Sequence, residues 1–195
     1  MTVITTDQVR ELREATGVSV MQCRKALEEA AGDMEKAVLI LRKISKAQAE
    51  KKLDREFGAY CSASYMHQGG RVGSMVQLAC ETDFVSQNPE FVALATDIAV
   101  HVAGMAPEFI KETDVTEAVR TKYMNFFKEE AAKTGKPAEL QEKIAEGKYA
   151  EFLAGSVLLN QPFLKNPELT IGEMLSSAVQ KFGENVAVSK MARFA

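Results

Sequence analysis

Two runs of alternating character, 57–66 and 71–81, meet at His67-Gln68-Gly69-Gly70-Arg71. This constrains the fold more than any other stretch. Gly69 and Gly70 reach positive φ without a Cβ penalty, so the two runs read as a β-hairpin. In the second run Val72, Val76, Leu78 and Cys80 share one face at period two. The C-terminal stretch ENVAVSKMARF reads as a third strand. Almost everything else carries helical periodicity. The expected class is therefore α+β: an N-terminal three-helix (UBA-like) bundle, then a core with a small three-stranded antiparallel sheet packed against helices.

The bundle is punctuated residue by residue. Thr5 or Thr6 caps a helix with Val9 and Leu12 inward, and Gly17 stops it. Ser19 and Gln22 have capping-box spacing for a second helix, with Cys23, Ala26 and Leu27 inward, ending at Gly32. Asp33 caps a third, with Ala37, Leu41 and Ile44 on one face. Residues 42–56 read as a solvated linker helix. Arg42, Lys43, Lys46, Lys51, Lys52 and Arg55 alternate there with Glu50, Asp54 and Glu56, so ion pairing is favoured over a nucleic-acid patch. The division is 1–53, a docking domain plus linker helix, and 54–195, the α+β core.

In the core, Asn88-Pro89 is an N-cap and N1 pair. The helix after it carries Phe91, Leu94, Ala95, Ile98, Val102 and Met105 on one stripe. Helices are expected over 114–134, 137–146, 148–158 and 170–182, the last stopped by Gly183. NQPFLKNPEL is expected as a loop.

The 195 residues are 46% hydrophobic and 26% charged with a net charge of -3, enough for one sizeable core and too acidic for general nucleic-acid binding. No apolar run spans a membrane, and the start resembles neither a secretory nor a transit segment. Cys23, Cys61 and Cys80 match no zinc or CxxC spacing and fit reduced core thiols, so a cytoplasmic setting is expected. No P-loop, GxGxxG or metal-spaced cluster occurs, so neither cofactor nor metal nor bound nucleotide is expected. His67, beside the turn, and His101, on a helix with an apolar opposite face, belong to no catalytic constellation. An enzyme pairing a cysteine or Asp83 with either histidine has no motif behind it.

One joint stands out. In CETDFVSQN, Thr82, Asp83, Phe84 and Val85 sit where strand gives way to helix, and a phenylalanine is unusual at such a corner. Read alone, Thr82 or Asp83 is an N-cap and Phe84 packs inward.

Several stretches together resemble the translation elongation factor Ts family, the guanine-nucleotide exchange factors of elongation factor Tu. They are LREATGVSVMQCRKAL, GRVGSMVQLACETDFV, GKP with IAEGK, QPF and KFGENVAV, in family order along nearly the whole chain. The resemblance is to the short form. Longer members carry a duplicated core half and a protruding coiled-coil hairpin, whereas one GRVG hairpin is found here, so a homodimer is implied.

The resemblance implies a non-enzymatic factor that binds Tu·GDP and promotes GDP release by disturbing the Mg²⁺/phosphate site. Thr82, Asp83, Phe84 and Val85 would press on the Tu G domain, joined by His67 from the hairpin tip and by Phe182 and Gly183. Arg10, Arg13, Val20 and Met21 would dock the N-terminal bundle. Ser19-Val20-Met21-Gln22 departs from the family's usual Gly-Met-Met-Asp but keeps its apolar character. The alternative is a non-catalytic adaptor or chaperone-like binding protein with a small helical peptide-binding module.

Overall fold

The computed structural model describes residues 4–195. Helices α1 (Thr6–Thr16), α2 (Val20–Glu29) and α3 (Met34–Glu50) form the N-terminal bundle. Thr5 caps α1 in a full capping box with Gln8. At α2 the box is half made. Ser19 Oγ accepts from the Gln22 N–H but gives its own proton to the Gln22 side-chain oxygen. Asp33 caps α3 through the Lys36 N–H. Leu12, Cys23, Leu27, Ala37 and Leu41 are buried together between the three helices.

The third bundle helix and the linker helix are one element. The inward stripe of α3 runs Ala37, Leu41, Ser45, at steps of four. Ile44, expected inward, is exposed. Ser45 bonds the Leu41 carbonyl and the side chain of Gln180. Ala49 packs against the larger core. The helix thus carries two faces in series, one for each apolar cluster.

Strands β1 (Ala59–Met66), β2 (Gly73–Cys80) and β5 (Ala187–Phe194) form an antiparallel sheet in the order β1-β2-β5. Ala59 pairs with Cys80 and Met66 with Gly73, so the hairpin closes at His67–Val72. Gly69 and Gly70 have φ of 76° and 69°, the left-handed values that favour glycine there. Helix α5 (Pro89–Met105) covers one face, while α8 (Ile171–Phe182) packs against α3 and adds Leu175, Ala178 and Val179 to the same core. Phe91, Ile98, Val102, Val76, Leu78, Leu158 and Ile171 are fully buried there. The opposite face is uncovered and presents Tyr60, Met66, Met75 and Phe194.

Two expectations fail in the segment between α5 and α8. Residues 137–158 hold one long helix, α7 (Ala138–Ser156), rather than two. A helical glycine costs only about 1 kcal/mol relative to alanine, so the chain passes through Gly147. The helix packs chiefly against α6 (Glu117–Ala132), with Tyr123 stacked on Phe152 at 3.9 Å. A helical hairpin is therefore present here, although the resemblance gave one only to longer relatives. The expected loop contains a small ladder of β3 (Pro162–Phe163) and β4 (Asn166–Thr170).

Candidate functional site: two corners held together

The sheet ends at Cys80, and the next residues turn at once into a four-residue helix, α4 (Asp83–Ser86). Val85 enters the core at 4% exposure, while Phe84, one position earlier, is 82% exposed. Phe84 therefore does not pack inward. Val85 is not a surface residue but the anchor beneath it, because neighbouring positions on a helical turn point about 100° apart.

Neither Thr82 nor Asp83 caps α4 with its side chain. Thr82 is at the N-cap position, but its hydroxyl is used elsewhere. It donates to Glu184 Oε1 at 2.5 Å, and the N–H groups of Glu81 and Thr82 both donate to Glu184 Oε2 at 3.0 Å. The return contact comes from Glu81, whose carboxylate accepts the Asn185 N–H at 2.6 Å and Arg55 Nη1 at 3.2 Å. Burial pushes the Glu81 carboxyl up, but the Asn185 N–H and the Arg55 guanidinium outweigh it and hold it below the usual carboxylate range. Two glutamates thus cross between the 81–82 and 184–185 segments. Lys52 Nζ adds a bond to the Gly183 carbonyl at 2.6 Å.

The second corner is the end of α8. Gly183 has φ of 74° and closes the helix through its N–H to Val179. Phe182 is half-buried, edge-on to Phe91 with ring centroids 5.4 Å apart. Lys181 reaches Glu90 at 2.8 Å. A Cβ placed on Gly17 would lie 3.8 Å from the Lys181 side chain, so the α1–α2 turn is beside this corner. Val20 and Met21 start α2 just beyond that turn, 55% and 69% exposed. Arg10 pairs with Glu14 at 3.0 Å on an exposed face of α1, and Arg13 is exposed one turn on.

The structure thus brings together Thr82–Phe84, Phe182–Gly183 and the start of α2. His67 is not with them. It sits at the hairpin tip, at the other end of β2, roughly 25 Å away for eight strand residues. There it bonds Tyr65 Oη through Nδ1 at 3.2 Å. Sequence reasoning missed Glu81, Glu184, Asn185 and Arg55, whose partners lie 26 to 130 positions away. The only available signal was the presence of carboxylates beside each marked corner.

His101 was expected opposite the apolar stripe of α5, but it is fully buried. Its Nε2 is 2.9 Å from Gln161 Oε1, and its Nδ1 accepts the Leu164 N–H at 3.2 Å. That pattern requires the neutral Nε2–H tautomer and ties α5 to residues 161–164. Burial lowers its pKa against the opposing pull of Gln161. A histidine with a lowered folded pKa stabilises above its unfolded value, near pH 6.5, and loses that contribution as pH falls through the folded value. Thermal melts from pH 7.5 to 5.5 are expected to show falling stability. A His101→Gln variant, weaker at pH 7.5, should show a flatter dependence; an unchanged slope would refute the assignment.

Among the described residues, the cysteines, Asp83 and the two histidines are not brought together. Burial, reinforced by the Glu184 charge, pushes the Cys80 thiol up to about 11, and burial raises Cys23 and Cys61 as well. None is a ready thiolate. Asp83 and His67 lie at opposite ends of the sheet, and His101 is committed to Gln161 and Leu164. Among the described residues no group of three His, Cys, Asp or Glu side chains is arranged to hold a metal, and no helix is long and apolar enough to cross a membrane.

The family model described as Elongation factor TS matches residues 5–195. The chain belongs to the elongation factor Ts family. The Elongation factor Ts of Koribacter versatilis is 44% identical over 191 residues, covering 98% of this chain and 87% of the relative. That of Carboxydothermus hydrogenoformans is 43% identical over 191 residues, covering 98% and 88%. That of Thermosipho melanesiensis is 44% identical over 186 residues, covering 95% of both chains. Membership makes the chain an elongation factor of protein biosynthesis.

Proposed function

We propose that this chain is a non-enzymatic guanine-nucleotide exchange factor for elongation factor Tu, acting in the cytoplasm. Family membership supports the partner. The observation that carries the mechanism is the Phe84 ring, almost fully exposed on a corner braced from both sides. An apolar ring held away from its own core is suited to burial in another protein, a gain of roughly 2–3 kcal/mol.

Tu holds GDP through phosphate contacts and a Mg²⁺ ion that tolerates little distortion. Pressing Asp83 and Phe84 into the G domain displaces a packed element there and loosens both. Phe182–Gly183 supplies a second contact, and Val20, Met21, Arg10 and Arg13 dock the bundle. The chain itself needs no cofactor and binds no nucleotide. Coupling is reciprocal: GDP weakens the factor as much as the factor weakens GDP.

The test is release of a fluorescent GDP analogue from Tu. The chain should accelerate release, and excess GDP with Mg²⁺ should dissociate the complex. Binding without acceleration would favour the adaptor reading.

The uncovered sheet face extends the proposal. With one core half, the factor is a homodimer whose two sheets pack through Tyr60, Met66, Met75 and Phe194. Sheets stack about 10 Å apart with side chains interleaved, which suits such a face. Light scattering at micromolar concentration should give twice the chain mass, and Met75→Lys should give the monomer. A wild-type monomer, both alone and with Tu, would rule the dimer out.

A further inference from the structure

We infer that Glu184 is a positioning residue for exchange, holding the Thr82–Asp83–Phe84 corner in the conformation that projects the Phe84 ring. The assignment presupposes that Phe84 is the group pressed into the G domain.

An exposed phenyl ring on a loose turn would fold back onto the nearest apolar surface. Here apolar groups are close: Val85 is buried immediately beneath the corner, and Phe182 at the neighbouring corner is only half-buried. Helix α4 has too few residues to hold itself, because isolated helices this short are unstable in water. Its first turn also lacks a side-chain cap. What fixes it lies upstream. The two Glu184 oxygens accept every donor that residues 81 and 82 present toward them: two backbone N–H groups and one hydroxyl. These are charge-assisted bonds, stronger and more directional than neutral ones. The Thr82 hydroxyl, the natural cap of α4, has been diverted into this clamp. Glu184 follows Gly183 directly, so the clamp also sets the spacing between the two corners that face the partner.

The oxygen roles specify a discriminating substitution. Oε2 takes both N–H groups, while Oε1 takes only the hydroxyl. A glutamine can place its single carbonyl oxygen at the Oε2 position. Its NH₂ then donates to the Thr82 hydroxyl oxygen, which can reverse its role. Glutamine therefore preserves the geometry without the charge, whereas alanine abolishes both.

The experiment measures GDP release from Tu with the 195-residue chain. Glu184→Ala should lower exchange efficiency by about ten- to hundredfold, the scale of a misplacement near one ångström, and Glu184→Gln should recover most of it. Amide hydrogen exchange at Glu81 and Thr82 should be faster in Glu184→Ala than in the wild type, with Ala99 and Val102 in the core unchanged. Thr82→Val, which removes one donor and spares the fold, should give a smaller loss in the same direction. Combining Glu184→Ala with Phe84→Ala should be no slower than Phe84→Ala alone, because a residue acting through the ring has nothing left to position. Losses that multiply would assign Glu184 an independent role and overturn the inference. So would a Glu184→Ala protein that exchanges normally while Phe84→Ala is slow; the exchange reading would survive that result. A Phe84→Ala protein that exchanges normally removes the wedge itself, and the inference with it.

Discussion

Phe84→Ala is expected to slow factor-stimulated GDP release from Tu by one to two orders of magnitude, about 1.4–2.8 kcal/mol of barrier. The factor's own melting temperature should hardly move. The ring is 82% exposed, and removing a side chain that fills no cavity shifts stability by no more than about 0.5 kcal/mol. Asp83→Ala should reduce exchange less. Because Asp83 makes no capping bond, the stability loss of a missing cap is not expected either. Stopped-flow release and thermal melts on the same samples decide the matter. Normal release by a folded Phe84→Ala protein would remove the wedge from the mechanism, and a collapse in melting temperature would mean that the ring packs internally.

Phe91→Ala should do the reverse. This ring is fully buried in the first turns of α5 and meets Phe182 edge-on. Truncation leaves a cavity in the main core, with an expected loss of about 3–5 kcal/mol. That is a large share of the stability of a domain this size. Exchange by the surviving folded fraction should fall modestly, since Phe182 loses the ring that orients it. Urea titration and release assays together separate the two phenylalanines: one loses activity at constant stability, the other stability first. A Phe91→Ala protein within 1 kcal/mol of the wild type would place the core's centre elsewhere.

These two rings show what the sequence makes legible. Cap residues act within four positions, so Thr5, Asp33, Asn88 and Gly183 were readable from their neighbours alone. The alternation of β2 and the Gly69-Gly70 reversal were equally local. Phe84 read alone pointed inward, because caps with a packed neighbour are common, and only the family resemblance turned it outward. The structure supplies the physical reason: Val85 takes the inward position. The Glu81–Asn185 and Glu184–Thr82 bonds join segments about a hundred residues apart, and no local pattern marks such a pair. His101 was misjudged because a helix stripe predicts one covered face. Helix α5 is covered on two, by the sheet and by residues 161–164, and period alone does not report the second.

Helix α3 carries the remaining consequence. Its 17 residues extend about 25 Å and belong to both apolar clusters without interruption. Under the proposed exchange function, the bundle and the braced corners meet Tu as one rigid bivalent ligand, held side by side by α3 packed along α8. Once either end is engaged, the other is presented at a very high effective concentration, and the second contact forms without a second diffusional encounter. Cutting the chain within α3 and mixing the halves should therefore not restore exchange at micromolar concentrations, even if each half folds. Full recovery by the mixture would mean that the two ends work as separate ligands.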